Sequence, residues 1–202
     1  MKSILIVLSI GLSMVLSAQE LYHFSGFGFN YSKYSKDYLP SNPLVPNPEV
    51  ITEESNSLFY GFSYGIKASY LRRPELCYSI AAYPLVGVSF SAFNNQTFID
   101  LGLDVPIYGE IVLGDRDLNN FTAGLGLEFN YYYSNYLSIN EFLVGPSVML
   151  ATQLRFNERL FFLRASYTQG LNNGRSDYEG FRVVGGKRYS FNISLLYPIS
   201  AL

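Results

Sequence analysis

Few side chains in this chain could carry a reaction, and their spacing suits none. His23 is the single histidine, so it would have to serve as any general base. A base works only with a partner positioned within hydrogen-bond reach. His23 stands near the start of an alternating segment, so a structural or interfacial place is expected for it. Cys77 is the single cysteine, which rules out an internal disulfide framework and leaves a buried free thiol as the expectation. One histidine and one cysteine make no zinc set. Asp115-Arg116-Asp117-Leu118-Asn119 opens like a calcium loop. Asn120 takes its sixth place and Gly126 its twelfth, where glycine and glutamate are needed. The pairs Gly26/Gly28 and Gly124/Gly126 have no helix after them, so they are not phosphate loops. The chain therefore reads as non-enzymatic, with no catalytic, cofactor-binding or metal residues.

A different set of charges is informative. Lys67, Asp100, Asp104, Glu110, Glu128, Arg155, Arg164 and Arg188 lie inside segments that alternate with period two. The clearest such segment is FTAGLGLEFNYYYS, residues 121–134. Phe121, Ala123, Leu125, Leu127, Phe129, Tyr131 and Tyr133 share one face, and Glu128 falls on the other. Such alternation marks a β-strand whose faces meet different media. Eight segments of this kind are expected, at about 21–32, 57–71, 77–93, 97–113, 119–134, 141–155, 160–170 and 187–199. From the second segment onward, none of the charges falls in the apolar register. A charge facing lipid at mid-depth costs roughly 2–4 kcal/mol, so this segregation is what lipid exposure demands. The eight charges, four acidic and four basic, are expected to form a salt-bridge network that fills a narrow lumen.

Composition agrees. Charged residues are 15% and aromatic residues 17% of the 202. The formal net charge of −2 gives no sign of nucleic-acid binding. Residues 1–18 read as a cleaved signal peptide, with Lys2 before the apolar run Ile4–Leu16 and small residues at the cut; residues 19–202 are the barrel domain. The segments exceed ordinary soluble strands and suit a bilayer. A soluble lipocalin-like barrel that binds a hydrophobic ligand would reverse the faces. Its outer face would then carry Gly61, Gly65, Gly87, Gly102, Gly124 and Gly126, a register better suited to a crowded interior. Tyr60 and Tyr70, Tyr131 and Tyr133, and Tyr189 and Tyr197 are expected in belts at the membrane interfaces. Long connections at 33–56, 135–140 and 171–186 put the binding loops outside, the first rich in proline with Pro40, Pro43, Pro46 and Pro48. Pro84 and Pro106 fall opposite each other, where a shared bulge is expected.

The signal peptide, SLFYGFSYGIKASY (57–70) and RYSFNISLLYPI (188–199) together resemble the small outer-membrane β-barrels of OmpA/OmpX type, and more narrowly the PorT-like barrels. The resemblance covers most of the mature chain. It implies a surface, assembly or secretion-accessory role and brings no catalytic residues. The expected fold is an all-β, eight-stranded antiparallel up-and-down transmembrane β-barrel. It would be exported to the outer membrane as a monomer, with membrane lipid and a surface or periplasmic protein as partners. A small porin is the alternative function.

Overall fold

The computed structural model describes residues 20–40, 49–73, 76–93, 96–114, 120–134, 139–157, 159–171, 177–178 and 181–201. The expected leader, the turns at 74–75, 94–95 and 115–119, and Pro43, Pro46 and Pro48 lie outside the described residues. The strands are β1 Glu20–Pro40, β2 Ile51–Arg73, β3 in two collinear parts Leu76–Ala82 and Leu85–Phe93, and β4 Gln96–Leu113. They continue with β5 Phe121–Ser134, β6 Ile139–Phe156, β7 Arg159–Leu171 and β8 Phe181–Ala201. Each strand pairs antiparallel with the next in sequence, and β1 also pairs with β8, which closes an eight-stranded ring. The two-residue segment Asp177–Tyr178 only flanks β8.

The alternation decides the faces. In β5, Leu125 is 71% exposed on the outside while Glu128 is 1% exposed inside. Phe27, Phe62, Val86, Leu101, Phe142 and Leu195 are likewise exposed, whereas Asn30, Ser63, Ser89, Asp104 and Asn192 are buried. A closed ring leaves no open sheet edge, and its apolar wall is the surface a bilayer accepts. The faces are therefore opposite to those a lipocalin-like barrel needs.

The lumen is filled by large residues set against small ones. Phe24, Tyr83, Tyr108, Met149, Phe162 and Leu196, from six strands, form a buried cluster with Ala81 and Ala151. Phe24 and Phe162 lie 5.5 Å apart, and the rings of Tyr83 and Phe162 stack at 6.1 Å. Phe59 and Leu85 form a second buried pair. Gly65 makes room for the Tyr83 ring, since a Cβ there would come within 2.7 Å of it. The small residues of the inward register were visible in the sequence. The bulky partners that need them were not.

The proline expectation is corrected. β2 pairs Ile66 with Ala82 and Ser63 with Leu85, and β4 pairs Ile107 with Ala82 and Asp104 with Leu85. Both registers run through Pro84 without a shift, so there is no shared bulge. Each proline lacks a donor but keeps its acceptor. The Pro84 carbonyl accepts from Tyr64 N–H at 3.0 Å, and the Pro106 carbonyl accepts from Tyr83 N–H at 3.1 Å. Register shifts occur instead between His23 and Phe24, opposite Ser200 and Pro198, between Asp37 and Tyr38, and between Ser69 and Leu71.

Strand lengths also differ from expectation. β1, β2 and β8 run well past their neighbours at the long-connection end. Residues 33–38 pair with 51–56 on one side, and residues 33–40 pair with 181–189 on the other. β3 reaches only Phe93, and β7 ends at Leu171, opposite Lys187. Most of the expected first loop and part of the last are thus a three-stranded ribbon.

Candidate functional site

Two polar clusters occupy the lumen. In the first, Glu110 of β4 meets Lys67 of β2 across β3, with Nζ 2.8 Å from Oε2. Tyr83 Oη donates to Glu110 at 2.8 Å and Ser79 Oγ at 3.2 Å. The Lys67 ammonium lies 5.7 Å from the centre of the Phe162 ring. Three donors thus converge on one fully buried carboxylate, which offsets the cost of removing it from water.

The second cluster is a continuous chain of hydrogen bonds. Tyr108 Oη and Ser147 Oγ lie 2.8 Å apart, Ser147 and Thr168 2.7 Å, and Thr168 Oγ1 donates to Glu128 at 2.6 Å. Ser147 Oγ also donates to the Tyr167 carbonyl at 3.3 Å. Asn130 Nδ2 bridges Glu128 at 2.8 Å and Asp104 at 2.7 Å. Asn30 Nδ2 donates to the other Asp104 oxygen at 2.9 Å. Ser32 Oγ then donates to Asn30 at 2.9 Å and accepts from Arg188 Nε at 3.1 Å and Nη2 at 2.8 Å. The Arg188 guanidinium covers the Tyr34 ring at 5.0 Å, so the chain runs from the aromatic cluster to the base of the ribbon.

Arg164 lies between the clusters, fully buried. Its Nε donates to Ser194 at 2.8 Å and its Nη2 to Asn192 at 3.3 Å, and its guanidinium stands 4.8 Å from the Tyr83 ring centre. It is held by neutral acceptors and a π face rather than by a described carboxylate.

Six of the eight expected lumen charges are buried inside: Lys67, Asp104, Glu110, Glu128, Arg164 and Arg188. Asp100 keeps the inward register but is half-buried. Arg155 is corrected: it is exposed, two residues from the Asn157 turn, outside the buried network. Sequence alternation gives a residue's face but not its depth, and Arg155 is at the mouth. Lys67 and Glu110 form a buried ion pair, and Asn30, Asn130, Asn192 and Thr168 do much of the remaining bonding; no charge pattern marked these four.

Of the expected interface aromatics, Tyr60, Tyr131, Tyr133, Tyr189 and Tyr197 are exposed on the outer wall. Tyr70 is half-buried and is the extra residue of the β2 bulge. His23 is on the outer wall too, its Nδ1 2.7 Å from Tyr64 Oη. Cys77 is free but half-buried rather than enclosed. On the ribbon, Lys33 Nζ is 2.7 Å from Glu54 Oε2, and Thr52 Oγ1 donates to Asp37 at 2.8 Å. The hydrogen bond from Lys33 to Glu54 raises the lysine above its ordinary pKa, so it is fully charged.

No family model matches the chain, and no curated protein matches it. Solved structures do. The outer membrane protein OprG from Pseudomonas aeruginosa is 14% identical and aligns over 91% of this chain and 97% of its own, with a TM-score of 0.51. The outer membrane protease OmpT from Escherichia coli is 10% identical over 91% and 98%, at a TM-score of 0.42. Ail, the attachment invasion locus protein of Yersinia pestis, is 11% identical over 87% and 98%, at 0.38. At these identities the likeness speaks for fold alone. With the closed ring, the apolar outer wall and the polar lumen, the likeness to OprG makes this chain an eight-stranded antiparallel β-barrel with the fold of small outer-membrane proteins.

Proposed function

We propose that the protein is a non-conducting, non-enzymatic barrel of the outer membrane that holds a rigid ribbon and its connecting loops outside for a binding or assembly-accessory role. The filled lumen carries this reading. Phe59, Tyr83, Leu85, Tyr108, Leu143, Met149, Arg164, Arg188 and Leu196 are all under 2% exposed, which leaves little width for a solute in an eight-stranded ring. His23 supports the non-enzymatic part, since its described partner is a tyrosine hydroxyl on the outer wall rather than a carboxylate in a cleft. The ribbon supports the binding part. β1 continues nine residues past Tyr31, a reach of roughly 20 Å beyond the tyrosine belt at about 3.3 Å per residue and a barrel-like tilt. The resemblance to PorT-like barrels points the same way, toward an accessory rather than a transport role.

The test is conductance. The refolded full chain in a planar bilayer should give no stable current steps in molar potassium chloride. Reproducible steps that vanish on Arg164→Trp would sink the filled-lumen reading and favour a small porin.

A further inference from the structure

We draw no further inference here: the strongest candidate, the outer edge of β2 at residues 51–55 of the ribbon, which has no partner strand among the described residues, belongs to the surface already proposed for binding, and nothing in the structure shows what covers it.

Discussion

Lys67→Met should destabilise the barrel by about 3–5 kcal/mol, the usual cost of leaving a buried charge without its partner. Glu110 would keep the hydroxyls of Tyr83 and Ser79 but lose the one cation in contact with it. K67M/E110Q should recover most of that loss. The glutamine carbonyl still accepts from Tyr83, and no isolated charge remains. Urea unfolding in lipid vesicles, followed by tyrosine fluorescence, gives both numbers. If the single and double variants unfold at the same urea concentration, Lys67 and Glu110 are not the coupled pair described.

The second large effect is expected on the opposite face. Leu125 lies between Phe121 and Tyr133 on the outer wall of β5 and is 71% exposed. Leu125→Arg should cost about 2–4 kcal/mol if that wall meets lipid near mid-depth. The same change on a water-facing wall would fall within about 0.5 kcal/mol. The expected result is a lower unfolding midpoint and poorer insertion into vesicles. A variant as stable as the parent would mean that Leu125 faces water.

The sequence made the outer wall easy to read, because lipid imposes a single rule on every outward position. Leu101, Leu103, Leu125, Leu127, Ile193 and Leu195 each obey it, and period two does the rest. The lumen obeys no such rule. Polar, small and aromatic residues are all admissible there, provided that they pack together. Phe24, Phe59, Tyr83, Tyr108 and Phe162 looked like wall residues or were left unassigned, yet they are buried inside the ring, with the Tyr83 ring seated over Gly65. The outcome at Pro84 and Pro106 was hidden for another reason. A proline removes one donor, and whether the ladder then bulges or runs on depends on neighbouring registers that no local pattern encodes. The ribbon was read as loop because its segments are polar on the outside. Above the membrane the outward register meets water, so Lys33, Glu54, Asp37 and Thr52 replace the apolar residues while the backbone pairing continues. Arg155 was misjudged in depth rather than in face.

The central claim is a closed membrane barrel with its apolar register outward. The most direct test is fractionation of the expressed protein after a carbonate wash, with gel mobility compared before and after boiling. Retention in the outer membrane together with a boiling-dependent shift is the predicted result. A protein released by carbonate, with one mobility at both temperatures, would contradict the claim and place the apolar faces of these strands away from lipid.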